Sequence, residues 1–232
     1  MIGPKSVLTS AAGRLAPKVI ESAPGVTTPV VRQALHHAIA GIGPLPGAAA
    51  AAEKHLEKQD GDVEAAVKQV IDNHVRMAGV GGFATNIGGL VTQAVTLPAN
   101  ITGIAIIQCR MVAVIAHLRG YDLTDPRVRN AILLTLLSEE KVGKQIKAKK
   151  IPAPPMAVAT APAYDRSIDD TVASEVAQEL LSRVTGRGMI SMAAKRVPLV
   201  GGVVGAGADG WMTYQIGRYA SRELLPRRSD NR

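Results

Sequence analysis

The sequence predicts an all-α protein on three observations. Apolar residues recur at helical spacing in several windows, cap and stop residues bound those windows, and no run alternates apolar with polar residues over a strand's length. At 232 residues the chain suits a single compact multi-helix domain and can bury a core without disulfides or metals. Ala, Val, Ile and Leu supply most of its 47% apolar content, beside one Phe, one Trp and four Tyr, so its elements can pack closely.

Residues 1–29 mix Pro, Gly, Ser and Thr with short apolar pieces and are expected to form an irregular arm with a helical turn or two. The helical domain is expected over 30–225, with a basic tail over 226–232. "VVRQALHHAIA" offers a short helix that stops at Gly41, followed by a Gly/Pro loop. "AAAAAEKHLEKQ" has high helix propensity and ends at Gly61. Asp62 caps the next helix, in which Val63, Val67, Val70, Ile71 and His74 share one face.

From Met77 to Cys109 the chain holds no Asp, Glu, Lys, Arg or His, yet Pro98 and many glycines interrupt it. Each piece, about 80–96 and 98–118, is near the lower limit of the roughly 20 residues a spanning helix needs, and the second contains Arg110. A stable two-span topology is therefore set aside for a glycine-rich apolar helical hairpin that is either core or inserts shallowly. Pro98 suits a first turn, Gly120 closes that helix, and Asp125 with Pro126 opens the next.

Residues 148–165 read as a Pro/Ala-rich connector. Ser167 with Asp170 resembles a capping box for a helix carrying Ile168, Val172, Val176, Leu180 and Val184 on one face, with Gly186 as its stop. The last segment starts with Pro198 and ends as an amphipathic helix. Gly81, Thr85 and Gly89, and again Gly201, Gly205 and Asp209, stand at small-xxx-small spacing, which lets backbones approach closely in membrane helices and in tight soluble packing alike.

The formal net charge of +8 is concentrated in Lys141, Lys144, Lys147, Lys149 and Lys150 and in the C-terminal arginines. Such a balance attracts nucleic acid or anionic lipid, or simply solubilises a surface. No ring stands near the lysines to stack on bases, so nucleic acid is not expected as a partner. The single Cys109 excludes an intrachain disulfide, and with no apolar leader at the start the expected location is cytoplasmic, peripheral at the membrane's inner face.

Arg110 in an apolar helix needs a partner, and the candidate acids are Asp122, just after that helix, and Asp209, alone in the second glycine segment; the rival is a guanidinium that snorkels at the helix edge. The five histidines have no metal-ligand spacing, no serine sits in a nucleophile elbow, and neither glycine run follows a strand as a dinucleotide site would. No cofactor, metal or catalytic residue is expected, and the chain is read as non-enzymatic.

"AEKHLEKQDGDVEAAVKQVIDNHV", "GVGGFATNIGGLVTQAVTLPANITG", "QCRMVAVIAHLRGYDLTDPRVR" and "AAKRVPLVGGVVGAGADGWMTYQIGRYA", in that order, resemble the EcsC family over most of residues 50–222. The motif positions are Gly82, Phe83, Gly88, Gly89, Pro98, Arg110, Gly120, Tyr121, Asp122, Pro198, Gly201 and Gly205. "GADGW" departs from the Asn-containing turn expected near the end, as does the Pro/Ala-rich connector. The resemblance implies a bacterial helical protein whose activity is poorly defined, named for its place beside an ABC exporter. The leading expectation is a membrane-associated or lipid-binding protein with Lys144, Lys147, Lys149 and Lys150 on anionic headgroups. An accessory module that binds a transporter component comes second, and a hydrolase third.

Overall fold

The computed structural model describes residues 24–79, 99–194 and 201–227. These contain nine helices: α1 Pro24–Ala40, α2 Ala48–Glu57, α3 Val63–Gly79, α4 Ala99–Leu118, α5 Pro126–Thr135, α6 Glu139–Lys147, α7 Pro155–Ala159, α8 Ser167–Ala194 and α9 Gly201–Glu223. The fold is all-α. The Gly/Pro loop after α1 forms a two-residue antiparallel ribbon, β1 Gly41–Ile42 with β2 Leu45–Pro46. Gly41 adopts φ +97°, and an added Cβ would stand 2.7 Å from the Leu45 carbonyl oxygen, so only glycine closes the ribbon.

At the centre is α4, packed by α1, α2, α3 and α9. Its Ile106, Ile107, Met111, Val112, Val114 and Ile115 are fully buried, and so are Gln108 and Cys109. A helix apolar on every face belongs inside a protein or inside a membrane. Here residues 103–109 of the charge-free run are core, and among the described residues no helix is long and apolar enough to cross a membrane. The first half of the hairpin, with Gly82, Phe83, Gly88, Gly89 and Pro98, lies outside the described residues.

Helix α9 lies against α3 through a face of small residues. A Cβ at Gly217 would stand 2.9 Å from Ile71 Cγ1 and 3.1 Å from Met111 Sδ, and one at Gly210 would stand 3.5 Å from the Val75 carbonyl oxygen. Thr213 and Ala220 complete the buried face. Close approach is seen at Gly210 and Gly217, both C-terminal to the Gly201–Gly205 pair, whose surroundings lie outside the described residues, as do Gly81, Thr85 and Gly89.

Most boundaries follow the sequence signals. Asp62 accepts from the Ala65 amide at 3.0 Å, and Asp125 from the Arg127 amide at 2.8 Å with Pro126 beside it. Four expectations are corrected. Helix α1 begins at Pro24, so its first six residues occupy the end of the expected arm. The cap of α8 is Asp165, which accepts from the amide and hydroxyl of Ser167, while Asp170 faces outward to Arg32 at 2.5 Å. Gly186 does not stop α8, which runs on to Ala194; an interior glycine costs a helix only about 1 kcal/mol. The Pro/Ala-rich connector is folded: α7 docks on α5, burying Pro155, Val158 and Ala159, with Ile151 buried just ahead of it.

Arg119, just past the end of α4, fastens three helix ends. Its Nη1 donates to the Ser221 carbonyl and, at 2.9 Å, to that of Leu224, while Nη2 meets both Glu64 oxygens at 2.8 and 2.7 Å. A buried guanidinium so placed satisfies carbonyls that α9 leaves unpaired at its C-terminus and complements that end's partial negative charge. Arg119→Met should cost about 3 kcal/mol in urea unfolding, and Arg119→Lys should not restore it because an ammonium cannot fork to both sets of oxygens. Glu64→Gln should cost far less, the carboxylate being 63% exposed.

His74 on α3 is 4% exposed, with Nδ1–H donating to the Val70 carbonyl at 2.8 Å and Nε2 lacking a partner. Burial first, then the charges of Arg110 and His55, lower its pKa to about 4. The ring is neutral in the fold, whereas the unfolded chain takes up the proton near pH 6.5. Stability is therefore whole above pH 6.5 and falls by about 3 kcal/mol on acidification to pH 4. In parallel melts from pH 7 to 4, His74→Met should flatten that part of the profile. At the α3–α9 contact, Gly217→Leu should lower stability by about 1–3 kcal/mol, read by the same melts.

Candidate interaction surface around the lysine-rich helix

The lysine cluster folds as α6, a short amphipathic helix with Glu139 and Glu140 in its first turn and Lys144 and Lys147 in its last. Both placements complement the helix dipole. Val142 is buried and Ile146 half-buried on the inner side, leaving Lys141, Lys144 and Lys147 on the outer side.

Much of the cluster's charge is met internally. Lys144 pairs with Glu140 at 2.6 Å one turn back, Lys150 with Glu175 at 3.0 Å, and Lys141 with Glu179. Glu175 and Glu179, one turn apart on α8, are nearly buried; Glu179 also receives Arg183 at 2.8 Å, and Glu175 receives the Gln145 amide. A cavity of about 320 Å³ lies among Leu137, Lys141, Gln145, Glu175, Gln178 and Glu179. Burial and the charges of Arg183 and Lys144 pull the Lys141 pKa below its ordinary value. With both carboxylates clasped by cations and an amide, the cluster is built to lock α6 onto α8. Arg183 carries the lock inward, donating to the Leu136 carbonyl at 2.6 Å and to Gln108, which donates to Thr213 at 3.2 Å.

Lys147 and Lys149 differ: both are exposed, and neither has a carboxylate partner among the described residues. Lys149 also sits at φ +58°. The Lys150 amide donates to the Gln145 carbonyl at 3.0 Å and the Lys149 amide to that of Ile146 at 2.9 Å, the paired bonds of a helix-ending turn whose left-handed residue is most often glycine. A lysine there costs about 1 kcal/mol.

The same turn, with glycine, ends α4. Gly120 is at φ +80°, with the Tyr121 amide donating to the Ala116 carbonyl and the Gly120 amide to that of His117, each at 3.0 Å. Tyr121 swings into the core and donates through its hydroxyl to the Leu225 carbonyl at 3.0 Å, while Arg227 lies over its ring at 5.6 Å. Asp122 takes the Thr124 amide at 2.8 Å and hydroxyl at 2.7 Å, and these bonds hold its carboxyl below the usual range. Gly120, Tyr121 and Asp122 therefore shape a joint. Arg110 is buried and donates to the Pro46 carbonyl in the ribbon, so it neither snorkels nor pairs with Asp122. A carbonyl 64 residues away is a partner that a search for acids passes over.

Pro198 lies outside the described residues, and Gly201 and Gly205 stand in the first turns of α9. Cys109 is buried and its thiol pushed up to about 12, which leaves it unreactive. Among the described residues no group of His, Cys, Asp and Glu could hold a metal ion.

The other flank of α6 carries side chains that the charge pattern did not single out. Glu139 pairs with Arg222 of α9 and lines a cavity of about 250 Å³ with Ser138, Trp211, Tyr214, Gln215 and Arg218. Trp211 is 62% exposed and stacks on Tyr214 with ring centroids 5.8 Å apart. The buried phase Thr213, Ile216, Ala220 and Leu224 puts Trp211, Tyr214, Arg218 and Arg222 on the outer face, a signal present in "GWMTYQIGRYASRELL".

No curated protein and no solved structure gives a significant match to the chain. A family model does, and it starts at residue 8, well ahead of residue 50 where the motif resemblance begins. It takes in the ribbon that holds Arg110, the Gly120–Asp122 joint and the α6–α8 lock, and on that match over residues 8–228 the chain belongs to the EcsC protein family.

Proposed function

We propose that this protein is a non-enzymatic, peripheral lipid-binding protein that meets an anionic membrane surface through the C-terminal end of α6. The observation that carries the reading is Lys149: exposed, without a carboxylate partner among the described residues, and kept at a left-handed position that glycine would fill at lower cost. With Lys147 beside it, it leaves positive charge uncompensated where Lys144 and Lys150 are partly neutralised. Near an anionic bilayer each such lysine contributes about 1 kcal/mol. Because α4 is core, contact is by surface and not by insertion of that helix. The same burial favours a second reading, an accessory module that docks on a protein such as a transporter component.

Flotation with vesicles of phosphatidylglycerol and phosphatidylcholine tests the proposal. Lys149→Gly should act in opposite directions, raising stability by about 1 kcal/mol while weakening vesicle recruitment at low salt. Lys147→Gln should weaken recruitment with stability unchanged, and the double variant should lose most of it. Recruitment equal to the parent's in the double variant, or absent in the parent, would overturn the lipid reading and bring the protein-docking module forward.

A further inference from the structure

Resting on the reading above, we infer that the outer face of α9, with Trp211, Tyr214 and Arg218, is a second contact with the same anionic bilayer, its rings seated at the headgroup level. Trp211 is the only tryptophan in the chain, and it lies on the surface at 62% exposure with Tyr214 stacked on it. Tryptophan and tyrosine combine an apolar body with a polar edge and collect at membrane–water interfaces for that reason. Arg218, one turn on, is exposed with no partner among the described residues, and Arg222 follows on the same face. The acid nearest in sequence, Asp209, is two residues before Trp211 and so turned to another side of the helix. Glu139, which lines the same cavity as the rings, is paired with Arg222, so Arg218 is the charge left uncompensated beside them, in agreement with a negatively charged occupant.

Area separates a bilayer from a protein partner. Each ring buries ~150–250 Å² when wholly covered, so the two together fall short of the ~800 Å² per partner of a stable protein interface. A headgroup layer asks only that the rings enter shallowly while arginines stay at phosphate level. The Arg222–Glu139 pair joins this face to the first turn of α6, so the two contacts belong to neighbouring elements of one rigid packing.

As the lone indole, Trp211 reports on its own surroundings by fluorescence. With vesicles of equal parts phosphatidylglycerol and phosphatidylcholine, its emission should move to shorter wavelength and be quenched by lipids brominated in the upper acyl chain. Trp211→Ala should keep the parent's Tm and bind these vesicles at least tenfold more weakly, since returning even half of a tryptophan's area to water exceeds that factor. Flotation that persists with unshifted emission, or a Trp211→Ala variant that floats like the parent, would overturn this inference and leave the lysine contact standing. No flotation of the parent would overturn both. An emission shift that grows with protein concentration in the absence of vesicles would give the face to a second copy of the chain and overturn the lipid assignment.

Discussion

Arg119 occupies the point where three helices end or begin, and the geometry of its guanidinium sets how they meet. One nitrogen faces the last carbonyls of α9 and the other faces Glu64 in the first turn of α3, while its own backbone carbonyl accepts from the Arg227 amide at 2.9 Å. A planar fork with fixed donor directions tolerates little rotation among the groups it joins. Once α3 and α9 are held at this end, the faces between them must come together along their length, which is why glycine stands at Gly210 and Gly217. The Gly120–Asp122 turn serves the same junction by aiming Tyr121 back to Leu225.

Local signals in the sequence translate into structure where the physics is local. The Asp62 and Asp125 caps and the Gly41 and Gly120 stops were legible because each is settled within a few residues of itself. The failures arose where a signal was weak or had a competitor. Asp165, two residues ahead, takes the Ser167 amide and so caps α8, while Asp170 turns to Arg32, far away in sequence. Gly186 did not stop α8, since one interior glycine is a weak signal, and the prolines did not keep the connector from folding, because burial of Pro155, Val158 and Ala159 against α5 outweighs single-residue preference. The lysine run looked like a uniform field of charge, since the two glutamates that compensate it lie on another helix.

That compensation changes what α6 means. A charge count treats Lys144, Lys147, Lys149 and Lys150 alike, whereas the fold divides them into pairs with different work: two are engaged with carboxylates, and two stand free of them among the described residues. The turns at Gly120 and Lys149 make the division plain. Backbone geometry is the same at both, but the first is filled by the residue that suits it and the second by a residue that does not. The misfit draws attention to the side chain, and the side chain points to solvent. Trp211 shows the complementary pattern, an apolar group left outside by a helix whose inner face is already complete.

The pinning of α9 onto α3 and α4 also bears on how the chain comes into being. A ribosome delivers α3 and α4 more than eighty residues before it delivers Ser221 and Leu224, so for that interval Arg119 has no carbonyls to bind and the Ile71–Met111 face has no cover. Domains generally fold as units during synthesis, and contacts this distant in sequence slow the process. The nascent chain therefore carries an exposed apolar seam until α9 emerges, and that seam closes only when Ser221 and Leu224 reach Arg119.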